Sequence, residues 1–269
     1  MTEHAGTPRG AHGDDRQIAE PTWGIVEPGA LDTLVVISPH FDDAAMGAGY
    51  LIASYPGTTV ITVMAGKPPA YPAVPSPWDA AGGFGPGDDV VEVRREEDCR
   101  AMAVLTAEHR WLDFADHQYL ETEQRPTAEK IAPVLHAALA EVGPTAVFFP
   151  MGLGNPDHDV THEASLLVMR EMGHLAWFCY EDHGYKHIPG LLAWRVARLL
   201  RRQPWPTPAI IPHEEDVDRK RRAIWCYSSQ IAPLERDHAL SERMAARVPE
   251  QYWRLAPPPR GWEVLADLV

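Results

Sequence analysis

Cysteine is scarce in this chain, with three in 269 residues: Cys99, Cys179 and Cys226. They lie far apart and form no C-x-x-C pair, which excludes a disulfide-framed scaffold and points to reduced thiols. Positive charge is also in short supply. Lys and Arg total 24 against 38 Asp and Glu, a formal net charge of −14. That balance offers no phosphate-tracking surface, so no nucleic-acid partner is expected. The one basic cluster, Arg198, Arg201 and Arg202, reads as a complement to a helix C-terminus. No apolar run approaches the ~20 residues needed to cross a bilayer. Repeats and low-complexity tracts are absent. The polar start, which contains Gly and Pro, lacks the apolar core of a signal peptide. Residues 1–22 are therefore expected to be a disordered lead-in to a single domain over 23–269, in a cytoplasmic protein.

What is present is enough apolar material, 45% of the residues, to bury a sizeable core. Short apolar runs alternate with longer helical patterns, the signature of a mainly parallel sheet covered by helices. Strands are expected at Thr33 to Ile37, Thr58 to Met64, Arg110 to Phe114, Ala146 to Pro150 and Leu175 to Tyr180. Helices are expected at Asp43 to Ala53, Val90 to Leu105, Thr127 to Val142 and Val160 to Met172. Beyond Tyr185 the pattern turns helical, at Leu191 to Leu200, Glu214 to Ser229 and Glu235 to Ala246. A proline-rich break is expected at Pro204 to Pro212 and an irregular tail from Trp253. Gly66 to Asp89 reads as a long loop, and loops of that length are usually functional. Its Tyr71, Trp78 and Phe84 are candidates for one wall of a substrate pocket.

Functional groups in open parallel sheets gather outside the carboxyl ends of the strands. Four polar clusters occupy such places: His40, Asp42 and Asp43; Asp113, Asp116 and His117; Asn155, Asp157 and His158; and Glu181, Asp182 and His183. Imidazole and carboxylate are zinc ligands, and a catalytic site keeps one position open. His40, Asp43 and His158 would supply two histidines and a carboxylate. Adjacent carboxylates cannot easily both bind one ion, so Asp42 is left to take a proton from water. Asp157 is placed to orient an imidazole from behind. His162, four residues after His158, shares its helix face and is expected to lie beyond the metal. Arg94 is a candidate contact to substrate hydroxyls, as are Asp116 and Tyr185, although a charged helix start with a solvated face is the safer reading of Arg94.

These residues resemble a known family. Pro39-His40-Phe41-Asp42-Asp43 and Asn155-Pro156-Asp157-His158 look like the H-x-D-D and H-P-D-H signatures of the LmbE-like (PIG-L) zinc-dependent N-acetylglucosaminyl deacetylases. The resemblance continues through Arg94, Glu97 and Ala101, the Trp111-Leu112-Asp113-Phe114 segment, Tyr180-Glu181-Asp182, and a helix ending Tyr227-Ser228-Ser229-Gln230. It implies a Rossmann-like three-layer α/β fold with a helix-rich C-terminal part. By position it also implies one zinc ion on His40, Asp43 and His158, with Asp42 as general base; ferrous iron suits the same ligands. The implied substrate is a small amino-sugar glycoside or glycosylated natural product, and an oligomer is compatible with the resemblance. The chain departs from the pattern at Asn155, where the family usually has a histidine tied to the oxyanion or the leaving amine. Asparagine can donate a hydrogen bond but cannot act as an acid. Leu153 stands where some members have tyrosine. Candidate proton donors are His183, His117, Tyr185, and Asp42 once it has taken the water's proton. A zinc amidase for a larger acyl group and a non-catalytic sugar-binding relative remain as alternative readings.

Overall fold

The structure, a computed structural model, describes residues 24–202 and 204–258. The expected lead-in over residues 1–22 lies outside the described residues. The strands are β1 Leu34–Ser38, β2 Thr59–Thr62, β3 Glu108–Trp111, β4 Ala146–Pro150, β5 Ala176–Tyr180, β6 Trp205–Ala209 and β7 Tyr252–Ala256. The helices are α1 Asp43–Ser54, α2 Pro77–Ala81, α3 Val90–Leu105, α4 Ala128–Val142 and α5 Pro156–Glu171, then α6 Leu191–Arg202, α7 Val217–Ile224, α8 Ser228–His238 and α9 Leu240–Ala245.

All seven strands join one sheet in the order β3-β2-β1-β4-β5-β7-β6. The first five run parallel, and β7 and β6 add on antiparallel. A parallel sheet covered on both faces needs strands that are apolar throughout, and β1 and β4 are buried at every residue. Their side chains alternate between two cores. Val36, Phe148 and Phe178 face the layer of α1, α3, α7 and α8. Val35, Val147, Phe149 and Trp177 face that of α4, α5 and α6. Successive connections turn one way from β1 to β3 and the other way from β4 to β5, so strand order reverses between β1 and β4. The crevice outside the carboxyl ends at such a reversal is where α/β sheets place their ligands.

Several expected boundaries move. The third strand sits earlier, at Glu108–Trp111. α5 begins at Pro156 rather than Val160, because Asn155 caps it and proline is well suited to the first helical position. The expected helices over Glu214 to Ser229 and Glu235 to Ala246 divide differently, as α7, α8 and α9. The proline-rich break and irregular tail are corrected outright: they pair as β6 and β7. Pro206 and Pro208 stand two apart, so their missing N–H groups fall on one side of a terminal strand, where the ladder tolerates them.

The C-terminal part is locked to the parallel half by buried polar contacts. α1 is interrupted at Ala48, which has non-helical backbone angles. The Glu250 carboxylate accepts the N–H groups of Tyr50 at 2.9 Å and Leu51 at 3.3 Å, and is paired with Lys220 at 2.5 Å. It caps the second half of a broken helix. Glu97 of α3 similarly accepts from Ser229 N, Ser228 Oγ and Ser229 Oγ at the start of α8, each at 2.7 Å.

Candidate metal centre and cavity

At the end of β1 the Ser38 hydroxyl accepts the Ala44 N–H at 2.9 Å, folding the next residues back onto the helix start. Asp42 occupies the N-cap position of α1, yet its side chain makes no capping bond. Its buried carboxylate is thus left uncommitted. Asp43 is committed: its Oδ2 accepts the His40 N–H at 2.9 Å and lies 3.2 Å from both His40 Nδ1 and His158 Nε2. For tetrahedral zinc with bonds of ~2.0–2.1 Å, ligand atoms stand about 3.4 Å apart. The far nitrogen of each imidazole is held by a carboxylate. His40 Nε2 is 3.0 Å from Asp157 Oδ2, and His158 Nδ1 is 2.6 Å from Asp182 Oδ1. Such partners fix which nitrogen faces a metal. The donor set therefore fits a divalent ion.

The electrostatics divide the adjacent carboxylates. Burial, then the charge of Asp43, push Asp42 up to about 7. Burial acts the same way on Asp43, but the His158 and His40 imidazoles overcome it and hold that carboxyl far below its ordinary value. One carboxylate stays ionised towards the histidines, and the other can exchange a proton near neutrality.

A second grouping, His40, Asp116, His117 and Asp157, also has its donor atoms within 4.8 Å of one another. Its central oxygen, Asp157 Oδ2, is already filled by His40 Nε2, His117 N and His117 Nδ1 at 2.9–3.0 Å. Those bonds account for the cluster without an ion. Hydrogen bonds accepted by the Asp116 and Asp157 carboxylates raise His117 to about 9.

Above the centre opens a cavity of about 260 Å³, and most of the sequence-predicted residues line it. Asn155 caps α5 by accepting the Asp157 N–H at 2.8 Å. Asp116 caps a short 3-10 turn through Gln118 N at 2.9 Å. Tyr185 lies edge-on to His158, ring centres 5.3 Å apart. His183 is pushed down to about 3 by burial and by Lys220 and Lys186, so it stays neutral. Arg94 is no solvated helix start: it is buried, with Nη2 2.7 Å from Asp79 Oδ1, while Tyr119 donates to Asp79 Oδ2 at 2.9 Å. Of the three loop aromatics only Trp78 faces the cavity. Phe84 lies under Arg94 and Tyr71 against Tyr119. Asp113 is exposed and outside the cavity. His162 Nδ1 donates to the Pro150 carbonyl at 2.9 Å, away from the ligand set.

Several wall residues have no role assigned from the sequence, among them Val91 of α3 and Gln230, Leu234 and His238 of α8. Nothing local distinguishes the three on α8, since Leu234 reads as core and His238 as a basic helix end. Asp182 had a usable signal, its place two residues after β5, whose neighbour β4 leads into the helix that carries His158.

An uncommitted buried carboxylate beside converging imidazoles, at the reversal point of a parallel sheet, defines a hydrolase site able to hold a metal. Residues 35–169 match the family model described as PIG-L, GlcNAc-PI de-N-acetylase. The chain belongs to that family and is an N-deacetylase, a hydrolase. A deacetylase triple mutant of the teicoplanin biosynthetic pathway is 26% identical, with TM-score 0.69 over 85% of this chain and 100% of that one. The A40926 pseudoaglycone deacetylase is 28% identical, with TM-score 0.62 over 82% of this chain and 96% of that one. N,N'-diacetylchitobiose deacetylase from Pyrococcus horikoshii, at 17% identity and TM-score 0.54 over 89% of each chain, shares the fold alone. No curated protein matches at a significant level. No described helix is long and apolar enough to cross a membrane.

Proposed function

We propose that this chain removes the acetyl group from an N-acetylglucosamine-type sugar on a small glycoside or glycosylated natural product, using zinc. His40, Asp43 and His158 would hold the ion, which when bound supplies Lewis-acid activation of water and of the amide carbonyl. Asp42 accepts a proton from the attacking water and returns it to the departing nitrogen. Its pKa of about 7 suits both halves of that task. Asp157 and Asp182 hold the two imidazoles in the required tautomer. Arg94 and Asp116 stand on the cavity wall where sugar hydroxyls would lie.

The observation that carries this reading is the split between Asp42 and Asp43, one carboxylate free and one engaged by both histidines. A second reading, cleavage of a larger acyl group, is favoured by the apolar stretch of wall formed by Met46, Trp78, Val91 and Leu234. Acetate release from N-acetylglucosaminides, assayed before and after chelation and again after adding back zinc, tests the proposal. Turnover that survives complete removal of metal sinks it. Faster release of octanoate than of acetate from matched substrates would select the second reading.

A further inference from the structure

The position that lacks the usual histidine is not empty of chemistry. Gly154 has φ +70°, and a Cβ there would sit 2.1 Å from Cδ1 of Tyr185. Only glycine lets the phenol ring lie flat against this strand-end loop. The ring is held between two imidazoles, His158 at 5.3 Å and His238 at 5.0 Å, both edge to face. His238 in turn needs Gly184, where a Cβ would meet its Nδ1 at 2.7 Å. The ring is thus held from three sides.

The polar end is held as well. Asn155 Oδ1 is occupied by the Asp157 N–H, so its amide NH₂ is the group free to reach outward. That amide and the Tyr185 phenol line the same cavity, where the amide is placed to act on the phenol oxygen as a donor. With its lone pair engaged, the phenol O–H is left to donate into the cavity that Tyr185 lines beside His158. A phenol, with an ordinary pKa of ~10, keeps its proton near neutrality.

We infer that Tyr185 is a catalytic residue that donates a hydrogen bond to the oxyanion formed during deacetylation, with Asn155 positioning its hydroxyl. The inference rests on the deacetylase reading above. As water adds to the acyl carbon, one of its protons passes to Asp42 and the carbonyl π electrons move onto oxygen. Tyr185 stabilises that charge without giving up its proton. When the C–N bond breaks, the electron pair leaves with nitrogen, which takes the proton held by Asp42. The products are the amine and acetic acid, which ionises in water. Asn155 thus acts through the phenol, a role that needs no acid from it.

The test compares two probes bound to the metal-loaded protein by calorimetry: N-acetylglucosamine, which is planar at the amide, and its methylphosphonamide, which mimics the tetrahedral oxyanion. Tyr185→Phe keeps the ring packing and removes only the hydroxyl. It should weaken the phosphonamide roughly 10- to 100-fold while changing N-acetylglucosamine affinity less than about twofold, and kcat should fall about 10²–10³-fold. Asn155→Ser, which preserves the helix cap, should give a smaller loss that disappears in the Tyr185→Phe background. Unchanged phosphonamide affinity in Tyr185→Phe, or an equal loss for both probes, overturns the inference. If the unmodified protein shows no preference for the phosphonamide, the deacetylase reading fails and takes the inference with it.

Discussion

The parallel half of the molecule and its antiparallel C-terminal part do different work on one cavity. From β1 to the residues after β5, the chain supplies His40, Asp42, Asp43, His158 and both supporting carboxylates. From α7 onward it supplies side chains that shape space: Gln230, Leu234 and His238 line the wall. The two parts also differ in how they are held. The groups proposed to react sit at strand ends, whose positions are dictated by a ladder of parallel pairing. The wall is carried by short helices attached through buried polar anchors, among them Glu97 to α8 and Glu250 to Lys220 and α1. Chemistry is thus built on the rigid element, and shape on the part that can vary without disturbing it.

The largest expected effect sharpens the division. Asp42→Ala should lower kcat by ~10²–10⁴ with metal content unchanged, while His158→Ala should lose the metal itself; both are read by steady-state kinetics and plasma mass spectrometry. A metal-free Asp42→Ala protein would break the assignment of separate roles to neighbouring carboxylates. Next comes the anchor. Glu250→Ala leaves Lys220 buried and unpaired and strips two N–H groups of their acceptor, so urea denaturation should show a loss of about 3–5 kcal/mol. If stability fell by less than 1 kcal/mol, the C-terminal part would not depend on that anchor.

A third expectation concerns pH and lies in the parallel half. Burial, then the nearby positive charge of Arg195, press His162 down to about 3 from an ordinary ~6.5. Between those values the unfolded chain binds the proton and the folded one does not. Stability is therefore fully present above pH ~6.5 and falls as pH drops towards 3, by an amount on the order of a few kcal/mol. His162→Phe should flatten that slope in denaturation series at fixed pH. An unchanged slope would assign acid sensitivity to other groups. The smallest effect belongs to the wall: Leu234→Ala should raise KM roughly tenfold or less, with kcat close to normal. A large fall in kcat instead would show that α8 takes part in chemistry as well as shape.

Legibility followed the same boundary. β4 and α3 have the expected limits because an uninterrupted apolar run and a long capped helix carry their own signals. The residues proposed to hold a metal could be brought together on paper because each follows a strand, and strand ends of a parallel sheet converge. β6 and β7 were not legible. Prolines at 206 and 208 argue against pairing when read locally, and the partner that overrides them lies about fifty residues later. Arg94 was misplaced for a related reason: a charged residue on a charged helix reads as solvated until Asp79 arrives from α2 to bury it. Trp78 could be told from Tyr71 and Phe84 only by where that loop lands.

By itself the sequence determined a parallel α/β sheet, the residues able to hold a metal, and the free carboxylate between them. All of these depend on periodicity and on short spacings within one segment. Only the tertiary structure decided which imidazole nitrogen faces inward, which aromatic reaches the cavity, and that Tyr185 lies on Gly154 beside Asn155. Those are contacts between segments distant in the chain. They exist because side-chain volumes and backbone curvature meet there, and local pattern records neither.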